Sequence, residues 1–165
     1  MSKREVEPTV QQSVLDRLLD FEPRLAGDPP LSWSDSVNRL RDAVRRDIEW
    51  LLNTRRISEP ASADFPEVQA SVYHFGLPDI TSLSRDSSET PETLRRQIEE
   101  CIRLFEPRLN SVQVIIRNRG SDARQRLHFS IQALLEMEPN PERVMFDTVL
   151  ETGSGAFSVK GEADG

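Results

Sequence analysis

The residues in this chain whose types and spacing could do chemistry stand at a break in local pattern, Glu106-Pro107-Arg108. Upstream, Leu94, Ile98, Cys101, Ile102 and Phe105 recur at three- and four-residue spacing on one helical face. Downstream, Val112, Val114 and Ile116 alternate with Gln113, Ile115 and Arg117 as a strand does. Pro107 marks the switch, because it has no N–H to donate and drives Glu106 out of the helical region, so the spacing predicts a helix ending near Phe105. An acid and a guanidinium two residues apart in extended backbone point to the same side, between apolar anchors Phe105 and Leu109. The pattern therefore predicts that Glu106 and Arg108 are exposed, available either for a local salt bridge or for docking a partner.

Other chemistry has little to stand on. His74 and His128 lie far apart in sequence without companions at ligand spacing, which predicts no metal site. There is no phosphate-binding glycine loop and no Gly-x-Ser-x-Gly elbow, and no cofactor is expected. A glycosidase needs two carboxylates flanking a sugar bond, but among 28 acidic residues some pair is always available, so that signal has no specificity.

The composition sets bounds. A chain of 165 residues with 36% hydrophobic and 30% charged residues can bury one core, so a single domain over residues 10–160 is expected, with loose ends at residues 1–9 and 161–165. A net charge of −7 argues against nucleic acid, whose binding depends on neutralising phosphates. The lone Cys101 lies on an apolar helical face and reads as a small core residue. The start of the sequence has no apolar run to serve as a signal, and no segment reaches the ~18 apolar residues of a membrane helix, which predicts a cytoplasmic protein with no membrane insertion.

The elements follow in order. Val10, Val14, Leu15, Leu18, Leu19 and Phe21 predict a short amphipathic helix ended by Pro23. Phe21-Glu22-Pro23-Arg24-Leu25 duplicates the later pentapeptide, yet it runs into the turn-rich Ala26-Gly27-Asp28-Pro29-Pro30, so its setting differs. Ser32-x-x-Asp35 caps the longest helix, carried by Trp33, Val37, Leu40, Val44, Ile48, Leu51 and Leu52. Its arginines alternate with Asp35, Asp42, Asp47 and Glu49, the mark of a solvated mixed-charge face. Trp50 falls off the apolar stripe, as a rim residue of the core or part of a contact surface, and Asn53 suits a left-handed helix end. Val68, Val72 and Phe75 predict a short helix closed by Gly76, Ser82 to Glu89 a surface linker, and Thr90-Pro91 the start of the helix leading to Glu106. Strand patterns cover Val112–Ile116, Leu127–Met137, Val144–Leu150 and Ala156–Lys160, with Arg119-Gly120-Ser121-Asp122 as a turn. The order predicts an α+β fold, with helices packed on one face of a small, mostly antiparallel sheet of about four strands.

Three segments, Arg46-Asp47-Ile48-Glu49-Trp50-Leu51-Leu52-Asn53-Thr54-Arg55-Arg56, Phe75-Gly76-Leu77-Pro78-Asp79 and Glu106-Pro107-Arg108, together resemble the baseplate wedge family shared by contractile-tail phages and the type VI secretion system, the family of TssE. The resemblance spans most of residues 13 to 159. It implies a structural, non-catalytic protein at the inner face of the bacterial envelope, docking through Glu106, Pro107 and Arg108 to other wedge subunits (TssF, TssG, TssK). It further implies that the domain's strands template the first ring of the sheath proteins (TssB, TssC). The sequence permits such pairing at the last strand, where Phe157 and Val159 lie on an edge expected to be open, and where Pro at Ser158 would remove a needed donor. The alternative, a peptidoglycan hydrolase of lysozyme-like type, is attached to the same family but finds no acid and nucleophile pair here.

Overall fold

The computed structural model describes residues 9–19, 23–24, 27, 31–59, 61–62, 64–79, 90–117 and 126–161. Most of the expected loose ends, the Ser82 to Glu89 linker, the Arg119 to Asp122 turn and most of the first Phe-Glu-Pro-Arg-Leu copy lie outside the described residues. Among the described residues, four α-helices, α1 (Val14–Leu18), α2 (Trp33–Asn53), α3 (Pro66–Gln69) and α4 (Thr90–Phe105), precede four strands, β1 (Leu109–Ile116), β2 (Arg126–Leu135), β3 (Glu142–Glu151) and β4 (Ala156–Gly161). The strands form one antiparallel sheet in the order β1-β2-β3-β4. This is the α+β architecture that the order of patterns predicts.

α2 forms because its apolar residues keep one stripe for its whole length. Ser32 starts it, accepting from Asp35 N–H at 3.2 Å while its hydroxyl donates to the Asp35 carboxylate at 2.6 Å. Val44, Ile48, Leu51 and Leu52 of α2, with Leu94, Ile98 and Ile102 of α4, bury against Val114, Phe129, Ile131, Phe146, Phe157 and Val159 on one sheet face. Each such aliphatic side chain taken out of water contributes about 1.5–3 kcal/mol before entropy is counted. α2 and α4 thus cover a single face, near the β4 and β1 edges respectively.

Three local expectations are corrected. The strand after Arg108 begins at Leu109, not Val112, because a bulge between Asn110 and Gln113 resets the alternation. Ser111 takes a positive φ of 54° there, and as a result Leu109 and Val112, three residues apart, both face the core. The helix expected around Val68 to Phe75 is two short pieces, α3 and a 3-10 turn at Val72–His74, because Ser71 caps a fresh start by accepting from Tyr73 N–H. α1 has no buried residue, since Val14, Leu15 and Leu18 are all exposed.

Gly76 fits its setting closely. Its φ is +100°, and a Cβ there would lie 2.2 Å from the Thr54 carbonyl oxygen. The close approach lets Leu77 N–H donate to Thr54 O at 2.9 Å and Arg56 N–H to Leu77 O at 2.8 Å, a short parallel bridge between the end of α2 and the Phe-Gly-Leu-Pro-Asp segment. Gly76→Ala is expected to lower stability by at least ~1–3 kcal/mol, the range for a non-glycine residue held in a sparsely populated conformation. Gly153→Ala, with nothing within 4 Å of its Cβ, should be near neutral. Urea denaturation of the two variants compares them, and equal midpoints would show that the Gly76 contact is easily relaxed.

Candidate docking site

Glu106 follows directly after α4, and its N–H still donates to Ile102 O at 2.9 Å, so the last helical turn fixes the acid's position. Leu109 N–H returns to Glu106 O at 3.1 Å, closing a turn around Pro107. Arg108 folds back within that turn. Its Nε donates to Glu106 Oε1 at 2.6 Å and its Nη2 to Glu106 Oε2 at 2.5 Å, a two-point fork between residues two apart. The same Nη2 donates to Asp47 Oδ2 of α2 at 2.6 Å. On the main chain, Arg108 O accepts from Glu136 N–H at 2.8 Å, tying the turn to the end of β2.

The exposure predicted for both charges is therefore wrong for Glu106, which is 4% exposed, while Arg108 is half-buried and Pro107 stands out in solvent. The physical reason is Asp47. An acid reaching across from α2 gives Arg108 a second anionic partner, so the turn can draw Glu106 inward without leaving an unpaired charge. Hydrogen bonding to Glu106, together with Asp47 and against the opposing effect of burial, holds the Arg108 guanidinium above its already high ordinary value.

The ion pairs continue outward in alternating sign. Asp47 Oδ1 accepts from Arg46 Nε at 3.0 Å and Nη2 at 2.8 Å, and Arg46 Nη2 reaches Asp16 Oδ1 at 2.8 Å. Asp16 Oδ2 accepts from the Ser13 hydroxyl at 2.5 Å. Burial pushes the Asp16 carboxyl up, but the Ser13 hydroxyl and the Arg46 guanidinium outweigh it and hold it below its ordinary value. Together with Val10 N–H donating to Ser36 Oγ at 3.1 Å and the Gln12 side chain donating to Ser36 O at 2.9 Å, this fastens the segment around α1 to α2 despite its lack of buried apolar residues.

An aromatic series runs beside the ion pairs. Trp50 stands one helical turn after Asp47, is 65% exposed, and meets Phe75 edge-on at 6.5 Å; Phe75 in turn meets Phe105 at 5.3 Å. Cys101 Sγ donates to Gly76 O at 3.4 Å, and its burial pushes the thiol up to about 11. The three segments singled out in the sequence are thus linked through α2 and α4: Asp47 holds Arg108, Thr54 and Arg56 hold Leu77, and Cys101 and Phe105 at the end of α4 hold Gly76 and Phe75.

The other predicted partner residues lie elsewhere. Phe157 and Val159 turn their side chains into the core, and the edge expected to be open on β4 is covered by α2. Asn53 Oδ1 accepts from Phe157 N–H at 2.9 Å and Asn53 Nδ2 donates to Phe157 O at 2.9 Å. Glu49 accepts from Val159 N–H at 3.3 Å and Arg45 donates to Val159 O at 3.2 Å. By strand alternation the peptide group of Ser158 faces β3, so Pro at Ser158 would break the protein's own ladder, contrary to expectation. Asn53 does not adopt the left-handed end foreseen for it; it is the last residue of α2, and Thr54 leaves in extended backbone.

These features define a structural domain whose most elaborate surface feature is an ion-paired turn with an exposed proline. The chain belongs to the family described as baseplate wedge protein gp25, the family of TssE, whose sequence profile matches residues 38–140. That span contains all three segments and ends before β3. No curated protein matches the chain. No helix among the described residues is long and apolar enough to cross a membrane.

Glu106→Ala is expected to destabilise the fold by an amount near the lower end of the ~3–5 kcal/mol seen when one partner of a buried pair is removed, because Arg108 keeps Asp47 and some solvent. Chemical denaturation measures it, and an unchanged midpoint would show that the fork contributes nothing to folding. The Asp16 contact also has a pH dependence. Its folded value lies below its ordinary 3.8, so the stability it contributes is present above 3.8 and is lost as pH falls through the lower folded value. Protection of the Arg17 and Leu19 amides, which donate to Ser13 O and Leu15 O, measured against their intrinsic exchange rates, should fall on acidification through that window, and in Asp16→Asn it should already be low at neutral pH. Slow exchange in the variant would show that α1 is held by other contacts.

Proposed function

We propose that this protein is a non-enzymatic structural component of a type VI secretion baseplate wedge. It docks to the other wedge subunits, TssF, TssG and TssK, through the turn Glu106-Pro107-Arg108, and it templates the first ring of the contractile sheath built from TssB and TssC. Its place is the cytoplasmic side of the envelope, as part of the baseplate. The observation that carries the reading is that the turn Glu106-Pro107-Arg108, whose proline is exposed and whose charges are already paired, is held by Asp47 of the first segment, while the second segment packs through Phe75 on Phe105, the residue just before the turn.

Paired charges set the character of the docking contact. Because Glu106 and Arg108 satisfy each other, an incoming subunit meets a rigid, preformed surface and loses little side-chain entropy on binding. Pro107 and Trp50 are both exposed and supply apolar area, and the Arg108 side chain keeps 26% of its surface exposed to meet an acceptor. Phe157 and Val159 take part in sheath pairing only if α2 gives up its bonds to β4.

Co-purification of tagged protein from cells making the whole machine tests the docking role. Arg108→Ala should reduce recovery of the wedge subunits at least tenfold at equal levels of folded protein, while Arg24→Ala in the first copy leaves it unchanged. Full recovery with folded Arg108→Ala would contradict docking at this turn. The hydrolase alternative is met by incubating pure protein with peptidoglycan, where no release of soluble fragments above a heat-killed control is expected; release abolished by a single carboxylate substitution would replace the structural reading.

A further inference from the structure

α1 is turned the opposite way from a helix that closes a core. An amphipathic helix lays its apolar stripe on its own domain and its charges in water. Here the side chain facing α2 is Asp16, 10% exposed and bonded to Arg46, while Val14 and Leu18, on the far side of the helical turn, are 72% and 77% exposed. Leu15 and Leu19 are exposed as well, so every apolar residue from Val14 to Leu19 faces solvent. Five residues do not hold a helix by themselves. The Ser13 cap, whose hydroxyl accepts from Asp16 N–H at 3.1 Å, and the Asp16–Arg46 ion pair fix this one, and so hold an apolar row at the surface.

The bonds also give the row a direction. Gln12 meets Ser36 and Asp16 meets Arg46, so α1 climbs α2 towards the end where Trp50 is exposed. Ser36, Arg39, Ala43, Arg46 and Trp50 follow one another at three- and four-residue steps, and therefore share the side of α2 that carries α1. The charges on this side are unusual for the molecule. Of the four arginines of α2, Arg41 pairs with Glu142, Arg45 with Glu49, and Arg46 with Asp16 and Asp47. Arg39 is exposed and meets no carboxylate among the described residues, and the same is true of Arg17 on α1. In a chain of net charge −7, two guanidinium groups without a carboxylate flank an exposed apolar row.

We propose that the α1 row, with Trp50 beyond its end and Arg17 and Arg39 at its flanks, is a docking surface for an acidic amphipathic helix of a partner protein. Val14 and Leu18, one turn apart, form a ridge of the kind that fits the groove between side chains of a second helix. Apolar side chains of the occupant cover Val14, Leu15 and Leu18, and its carboxylates meet Arg17 and Arg39, which break no ion pair to receive them. The proposal does not depend on the docking role of the turn Glu106-Pro107-Arg108.

The test uses the full chain and a fluorescein-labelled, hydrocarbon-stapled helix with one leucine face and glutamates elsewhere, with binding read by fluorescence anisotropy. Binding is expected to be roughly tenfold or more tighter than to the same helix with lysines in place of the glutamates, and to weaken as salt is raised. Leu18→Asp and Arg39→Glu should each lower the affinity by about tenfold or more. Ser158→Asp, which adds a charge on the exposed face of β4, should leave it unchanged. Leu18 and Arg39 are both exposed, so the variants should keep the urea midpoint of the parent; should Leu18→Asp loosen α1, Arg39→Glu, on α2, still decides. No binding, equal binding of the two helices, or parental affinity in folded Arg39→Glu would overturn the proposal. Dimers of the parent chain, or its uptake by phosphatidylglycerol vesicles, abolished by Leu18→Asp, would overturn it too, since they assign the row to a second copy or to lipid.

Discussion

The contact on which the rest of the structure depends is the three-way ion pair of Glu106, Arg108 and Asp47. A carboxylate that is 4% exposed can stay charged at the end of a helix only if a cation is held against it, and Arg108 does this from two residues away through two bonds. Asp47 then fixes the cation from a different helix. The bonds thereby set the direction in which the chain leaves α4, and so where β1 begins. Because β1 is the first strand of a meander, the register of the whole sheet against α2 and α4 follows from it.

Much of this architecture was legible because it is local. Ser32 and Asp35, the apolar stripe of α2, Pro107 and the alternation in β2 and β3 each act within a few residues, and the structure has the elements they predict. What was not legible depends on pairs far apart in the chain. Asp47 reads as one of several charges on a solvated helix face, and nothing near it announces a partner 61 residues away. Asn53 reads as a helix end, whereas its amide serves as a substitute peptide group for Phe157, 104 residues on. The signal that pointed the right way was the company these residues keep, since both lie inside the longest of the three segments that resemble the wedge family.

The sheet shows how a fold destined for assembly can avoid premature pairing. An exposed strand edge is an aggregation hazard, and here both edges are met by rows of side chains from helices rather than by further strands. The same helices that bury the core therefore also cover the edges, α2 through Arg45, Glu49 and Asn53 on β4 and α4 through Glu99 and Arg103 on β1.

Asp47 and Arg108 act as a unit that joins α2 to the Glu106-Pro107-Arg108 turn. A double-mutant cycle of Asp47→Ala and Arg108→Ala, followed by urea denaturation of the four folded proteins, measures their coupling directly. A coupling energy of about 0.5–3 kcal/mol is expected, the range for residues in one ion-pair network. Additive single-site effects, with coupling indistinguishable from zero, would contradict it.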